Sequence, residues 1–143
     1  MNAYDEYMRG IVQPMREELV QSGFTELTTA EDVEHTLQDL KGSAVIVINS
    51  VCGCAAGLAR PAVREAVAEV KPDHLLTVFA GQDKEATEAM RSHFPEVPPS
   101  SPSVAIWNDG KLAYFIPREQ IENFQKEQIK DHLVNVLTNV VSQ

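Results

Sequence analysis

The apolar residues in the first half of the chain change from helical to strand-like spacing. Over residues 4–21 they recur three and four positions apart, which predicts a helix that Pro14 should kink or divide. A second helix is predicted over residues 30–40, with Thr29 as its N-cap. The run over residues 44–49 is β-branched and almost wholly apolar, which is typical of a strand buried on both faces.

The second half continues this alternation. A helix over residues 55–70, which Pro61 should kink, leads to a strand over 75–80 and so to a right-handed βαβ unit. Asp83 is the expected cap of a helix that runs to residue 93. Strands over 103–107 and 111–116 flank Asn108-Asp109-Gly110, residue types that favour a hairpin turn. An amphipathic helix is predicted over 126–141.

The order of these elements predicts the fold class. After two leading helices it reads β-α-β, then α, then β-β-α. We therefore expect a single α/β domain over residues 1–143 with a thioredoxin-like fold. It would have a central mixed sheet, helices on both faces and extra N-terminal helices.

The charge of the chain bears on its partners. The 143 residues include 12 Lys and Arg against 21 Asp and Glu, a formal net charge of −9. Such a chain repels a phosphate backbone or an anionic membrane surface, so neither nucleic acid nor a membrane is an expected partner. The first residues lack the basic and apolar regions of a secretory signal. A cytoplasmic, reducing location is the expectation.

The cysteine pair is the clearest chemical feature. Cys52 and Cys54 are separated only by Gly53, so a bridge between them would close almost no loop and stabilise little. The pair follows the predicted central strand and precedes a helix, where backbone N–H groups and the helix dipole favour thiolate. An extended chain would place the two Cα atoms about 6.6 Å apart. That is near the upper end of the disulfide range, so the bridge should be strained and readily reduced.

These observations predict thiol-disulfide exchange. We expect Cys52, in the strand-to-helix loop, to be the attacking thiol and Cys54 to be the resolving thiol. Pro102 precedes the third predicted strand, and in thioredoxin-like folds a cis-proline at this place packs beside the active cysteines. We therefore favour a cis bond after Ser101, with the backbone of that residue presented to the substrate; the alternative is a trans-proline in a proline-rich loop.

Several stretches resemble the bacilliredoxin family. The most specific is NSVCGCAAGLARP at 49–61, in which Cys-Gly-Cys stands where thioredoxins have Cys-x-x-Cys. Residues 4–9, 79–87, 99–103 and 115–118 also look like that family, so the resemblance covers nearly the whole chain. It implies a thioredoxin-like fold and removal of bacillithiol, a low-molecular-weight thiol, from S-bacillithiolated client proteins.

By this resemblance Cys52 takes up the bacillithiol, and a second bacillithiol or Cys54 then releases it. The resemblance also implies weak disulfide isomerase activity. No tightly bound cofactor or metal is expected, because the chain has no dinucleotide fingerprint or phosphate-binding loop. Bacillithiol would serve as co-substrate, and electrons would come from it and a separate reductase.

Other interpretations of these residues stay open. The cysteines could carry a metal or iron-sulfur cluster, although His35, His74, His93 and His132 show no ligand spacing, or be incidental in an interaction module. The candidate substrate-binding residues are Gly53, Ser101, Pro102 and Arg60. Arg60 and Arg64 would attract an anionic thiol such as bacillithiol, or form a solvated surface paired with Glu65 or Glu69.

Overall fold

A computed structural model describes residues 3–53 and 55–141, so Cys54 lies outside the described residues. The helices and strands follow the predicted order with two additions. In chain order they are α1 (Ala3–Val20), β1 (Thr25–Glu26), α2 (Ala30–Gln38), β2 (Ser43–Asn49), a π-helix (Ala55–Ala59), α3 (Arg60–Glu69), β3 (His74–Phe79), α4 (Lys84–Arg91), β4 (Ser103–Asn108), β5 (Lys111–Ile116), α5 (Glu119–Glu122) and α6 (Lys126–Val141).

The sheet has the mixed topology expected of a thioredoxin-like fold. Its strand order is β1-β3-β2-β4-β5. The first three strands in that order run parallel, and β4 and β5 pair antiparallel. All of β2 is buried because strands flank it on both sides and helices cover both faces.

Two hydrophobic cores lie on opposite faces of this sheet. Val45 and Val47 of β2 point into a core shared with α1, α3 and α6. Ala44, Ile46 and Ile48 point into the other core, which α2 and α4 complete. Successive side chains of β2 therefore point to opposite faces of the sheet, as expected of a strand buried on both faces. This packing holds β2 firmly in place, and the next loop begins at its end.

The two elements that the sequence did not predict are short. Strand β1 contains only Thr25 and Glu26, and α5 contains only four residues, so neither is long enough to show a hydrophobic period. Helix α1 continues through Pro14 as one helix. Pro61 lies in the first turn of α3, just after the π-helix, where its missing N–H costs little.

Of the two predicted helix caps, one is confirmed and one is wrong. The Thr29 side chain accepts a hydrogen bond from the Asp32 N–H at 3.0 Å. Asp83 occupies the N-cap position of α4, but its carboxylate makes no cap bond. It instead accepts two hydrogen bonds from Arg16, at 2.6 and 3.1 Å. A strong partner far away in sequence therefore displaces the local interaction.

The β4–β5 hairpin is confirmed, with Asp109 and Gly110 both at positive φ (48° and 84°). The Gly42 N–H donates to the Asp109 carboxylate at 2.8 Å, which joins this turn to the start of β2. Within the described part of the chain, no helix is long and apolar enough to cross a membrane.

Gly42 is a position where side-chain substitution should be costly. Its φ is 84°, and an added Cβ would collide with the Asp73 carboxylate. Gly42→Ala is therefore expected to lower the free energy of unfolding by about 2 kcal/mol, measured by urea denaturation. Gly10→Ala is the matched control, because a Cβ there meets nothing within 4 Å and alanine favours the helix. A Gly42→Ala variant as stable as the control would contradict this account.

Candidate active site

The candidate active site is the loop that follows β2. Cys52 lies in this loop and is partly buried, whereas Val51 beside it is 45% exposed. The Cys52 N–H donates to the Ser50 Oγ at 3.1 Å, and the Cys52 carbonyl accepts from the Ala55 N–H at 3.0 Å. Hydrogen bonds on both sides thus fix the backbone of Cys52 at the end of the central strand.

A buried polar cluster supports this loop from beneath. Arg60, with 2% of its surface exposed, donates from one terminal nitrogen to the Asn49 Oδ1 at 2.8 Å and to the Ser50 carbonyl at 3.0 Å. Its Nε donates to Glu18 at 2.8 Å. The Asn49 Oδ1 also accepts from the Ser50 N–H at 2.9 Å. One guanidinium therefore joins α1, the end of β2 and the start of α3 directly below the cysteine loop.

The structure corrects the prediction for the two arginines. Neither pairs with Glu65 or Glu69; both contact Glu18, with Arg64 at 3.0 Å from its other carboxylate oxygen. Arg64 is a partly exposed surface residue, as one interpretation expected. Arg60 is not, because its guanidinium is enclosed and engaged with protein groups. Since its hydrogen bonds go to Glu18, Asn49 and Ser50, we assign it a positioning role.

A second loop meets the same edge of the sheet. Ser103, the first residue of β4, pairs with Ile48 near the end of β2, so the residues before it lie beside the loop that carries Cys52. The Ser101–Pro102 peptide bond is cis, as the fold led us to expect, and Pro102 is buried while Ser101 is half-buried. The topology thus brings Ser101 and Pro102 to the edge where Cys52 and Gly53 lie.

Ser100 anchors this proline loop. Its carbonyl accepts hydrogen bonds from Arg91 and from the Ser103 hydroxyl, both at 3.0 Å. Its hydroxyl accepts from the Arg118 N–H at 3.3 Å. Burial lowers the pKa of Arg91. The loop is therefore held by a side chain from α4 and by a backbone N–H from the segment after β5.

A third loop, from β3 to α4, completes the edge. Phe79 pairs with Asn49, and the Ala80 N–H donates to the Asn49 carbonyl at 3.0 Å. Arg16 of α1 lies over the Phe79 ring at 5.1 Å and forms ion pairs with Asp83 and Glu26. Burial opposes the charge on Arg16, but hydrogen bonds to the two carboxylates raise its pKa overall.

Comparison with known proteins identifies the family. A family model described as "Disulphide isomerase" matches residues 7–141. A bacilliredoxin of Geobacillus kaustophilus is 54% identical over 134 residues, covering 92% of each chain. A bacilliredoxin of Shouchella clausii is 58% identical over 132 residues, covering 92% of this chain and 91% of its own. The chain belongs to the bacilliredoxin family.

Solved structures agree with the fold of this bacilliredoxin-family chain. Oxidised thioredoxin O2 from Arabidopsis thaliana superimposes with a TM-score of 0.56 at 14% identity, covering 80% of this chain and 95% of that one. At such low identity the similarity shows the fold alone. Family and fold together make the chain a thiol-disulfide oxidoreductase whose partners exchange thiols and disulfides with it.

The structure adds functional candidates that the sequence did not reveal. Asn49 and Glu18 hold Arg60 beneath the cysteine loop, and Arg91 holds the proline loop. The one available signal was Asn49 itself, a polar residue that directly follows the apolar run at 44–48 and is 1% exposed. A polar side chain so placed needs a buried partner. The Cys54 prediction falls outside the described residues.

The histidines lie apart from this site. His74 contacts the Lys41 carbonyl, His93 contacts Glu34, and His132 contacts Tyr114. Among residues 3–53 and 55–141, no group of three or more His, Cys, Asp or Glu side chains lies close enough to share a metal ion.

Proposed function

We propose that this member of the bacilliredoxin family removes bacillithiol from S-bacillithiolated client proteins, with Cys52 as the attacking thiol and Cys54 as the resolving thiol. The observation that carries the proposal is the position of Cys52. It follows the buried central strand, with its backbone held by Ser50 and Ala55 and an exposed Val51 beside it. Identities of 54 and 58% to bacilliredoxins support bacillithiol as the group, here called the cap, that is removed from the client.

The first exchange step leaves the number of disulfide bonds unchanged. The Cys52 thiolate attacks the bacillithiol sulfur of the mixed disulfide, so a new bond forms between Cys52 and bacillithiol. The old sulfur–sulfur bond breaks, and its electron pair leaves with the client thiolate. Rigid support matters here, because attacking and leaving sulfurs must approach in line and a mobile loop would lose that alignment. The Arg60 cluster supplies this support.

Two routes restore the enzyme. The thiolate of a second bacillithiol attacks the mixed disulfide and leaves as bacillithiol disulfide, regenerating the Cys52 thiolate. Alternatively the Cys54 thiolate attacks Cys52 and expels bacillithiol, which leaves a bridge between the two cysteines. That bridge takes two electrons from bacillithiol or from a separate reductase. The chain itself needs no tightly bound cofactor for either route.

Ser101 and Pro102 are proposed to contact the client. Their loop lies at the same sheet edge as Cys52, and Ser101 is only half-buried, so we expect its backbone to pair with an extended client chain. Its two chain neighbours and nearby helix backbone aside, no heavy atom of the described residues lies within 4 Å of the place where a Cβ on Gly53 would be. This leaves space beside Cys52 for the approaching disulfide.

The proposal is tested with a client protein capped by bacillithiol at a single cysteine. In the presence of free bacillithiol, the unmodified chain should release the cap and restore the client thiol, measured by thiol labelling over time. A chain with both cysteines replaced by alanine is the control. Release at the same rate by the control, or no release by the unmodified chain, would refute the proposal.

Disulfide isomerisation is a second candidate, favoured by the description of the matching family model. It needs the same nucleophile, because an isomerase begins by attacking a disulfide of its substrate. Reactivation of a scrambled disulfide protein without added oxidant or reductant would support it. If reactivation does not exceed that by the doubly substituted control, this candidate fails.

A further inference from the structure

Arg91, in the last turn of α4, has no counter-charge within the described part of the chain. Its side chain is half-buried, and no carboxylate of those residues lies within ion-pair distance of it. Burial lowers the pKa of Arg91, and no acidic partner raises it again. Other arginines that are paired with at least one carboxylate are Arg16, Arg60, Arg64 and Arg118.

This arrangement costs the fold stability. The Nε of Arg91 is fully buried and, among residues 3–53 and 55–141, has no hydrogen-bond partner. A buried donor without a partner and a half-buried charge without a counter-charge both lower the free energy of unfolding. The end of α4 favours a cation only weakly in return. An apolar side chain of similar size would serve the fold at least as well, which indicates that Arg91 has a role other than stabilising it.

The hydrogen bond that Arg91 does make is with the proline loop. One of its terminal nitrogens donates to the Ser100 carbonyl at 3.0 Å. The Ser103 hydroxyl donates to the same carbonyl, also at 3.0 Å, so this acceptor would keep a partner without Arg91. Of the two donors the charged guanidinium forms the stronger bond. Arg91 therefore adds a strong contact at Ser100 to a loop that other groups already close.

Ser101, the next residue, is the part of this loop that is left open. Within the part of the chain that the structure describes, neither main-chain group of Ser101 has a hydrogen-bond partner, and the residue is half-buried. Ser100 before it is anchored through its carbonyl and its hydroxyl, and Ser103 after it begins β4. Unpaired main-chain groups between two anchored residues offer a fixed edge to an extended chain. The orientation of that edge depends on how Ser100 is held.

We propose that Arg91 is a positioning residue for client recognition: by holding Ser100, it orients the main chain of Ser101, with which the client chain pairs. The inference rests on the proposed function, in which Ser101 contacts the client, and it gives Arg91 no part in the transfer of sulfur. Loss of the contact should weaken productive binding of the client chain, while exchange between the sulfurs keeps its rate. Stability should not fall with it.

Stability is the first measurement. Arg91→Met keeps much of the side-chain volume but removes the charge and the buried Nε, and Ser103 still donates to the Ser100 carbonyl. The urea midpoint of unfolding should therefore stay the same or rise. A lower midpoint would show that Arg91 serves the stability of the fold, and it would overturn the inference.

Two substrates with the same cap separate client recognition from sulfur transfer. One is a protein client capped with bacillithiol, and the other is the mixed disulfide of bacillithiol and 2-mercaptoethanol, which has no peptide chain. In Arg91→Met, kcat/KM should fall about tenfold for the protein client and stay unchanged for the small disulfide. Arg91→Lys keeps a cation that can reach the Ser100 carbonyl, so it should recover most of the loss. Arg64→Met, the matched control, removes an arginine from the surface of α3 and should match the unmodified chain on both substrates.

Two kinetic results would overturn the inference. Equal losses on both substrates in Arg91→Met would place Arg91 in the exchange step, and a loss in Arg91→Lys as large as in Arg91→Met would show that the charged bond to Ser100 is not the cause. The proposed function can fail separately, if the unmodified chain removes the cap from neither substrate. Amide order parameters measured by NMR then decide the role of Arg91: Arg91→Met should lower them at Ser100 and Ser101, and unchanged values would show that Arg91 does not hold the loop.

Discussion

Replacing Cys52 by alanine is expected to reduce bacillithiol removal by about a thousandfold or more, to the uncatalysed rate. In the proposed first step Cys52 accepts the bacillithiol sulfur, and its neighbours Val51 and Gly53 carry no nucleophile that could replace it. The measurement is the rate of client thiol recovery at saturating bacillithiol. Circular dichroism should show an unchanged fold, because Cys52 is partly buried and the hydrogen bonds of its backbone with Ser50 and Ala55 do not involve the sulfur.

Cys54→Ala is the matched control for this loss. It removes one of the two release routes but leaves the attack by a second bacillithiol, so the rate at saturating bacillithiol should fall by less than about tenfold. Lowering the bacillithiol concentration should widen the difference from the unmodified chain. If Cys52→Ala retained activity while Cys54→Ala lost it, the two roles would be reversed.

The second large effect is expected at Arg60. Arg60→Met keeps much of the side-chain volume but removes the hydrogen bonds to Asn49, Ser50 and Glu18. The free energy of unfolding should fall by about 3 kcal/mol, because buried polar groups lose their partner. Urea denaturation measures this change. Bacillithiol removal should also slow under conditions where the variant is fully folded, since the Ser50 support of Cys52 is loosened.

Arg64→Met separates this effect from the loss of any arginine near Glu18. Arg64 contacts the same carboxylate at 3.0 Å, but its side chain is 45% exposed. Its replacement should cost less than about 1 kcal/mol and leave the rate unchanged. Equal destabilisation by the two substitutions would show that burial of Arg60 is not what matters. An Arg60→Met variant that is as stable as the unmodified chain but slower would show that Arg60 positions the cysteine loop without contributing to the stability of the fold.

Much of the fold was predictable because its signals are local. The apolar run at 44–49, the Asn108-Asp109-Gly110 turn and the Thr29 cap each act within a few residues, and the structure confirms all three. Strand β1 was not predictable. Its two residues form a strand only because β3 lies beside them, so their own sequence carries no period.

The candidate site likewise has one part that could be predicted from the sequence and one part that could not. The position of the cysteine pair after β2 follows from sequence, because a buried strand and the next helix set the loop between them. The partners of Arg60 could not be predicted from sequence, since Glu18 lies 42 residues away from it and no local pattern links the two residues. Asp83 is the same case, because Arg16 is 67 residues distant and outcompetes the cap that local rules favour. The predictions for Arg60 and for the Asp83 cap were therefore wrong for the same reason: each side chain forms an ion pair with a residue far away in sequence.

The most direct test of the central claim is intact-mass spectrometry of Cys54→Ala mixed with a bacillithiol-capped client and no other thiol. Without Cys54 or free bacillithiol, neither release route operates, so the transferred cap should stay on the enzyme. We expect the client to lose the mass of one bacillithiol and the enzyme to gain it, with peptide mapping to Cys52. A client that stays capped, or a bacillithiol adduct at any residue other than Cys52, would contradict the account.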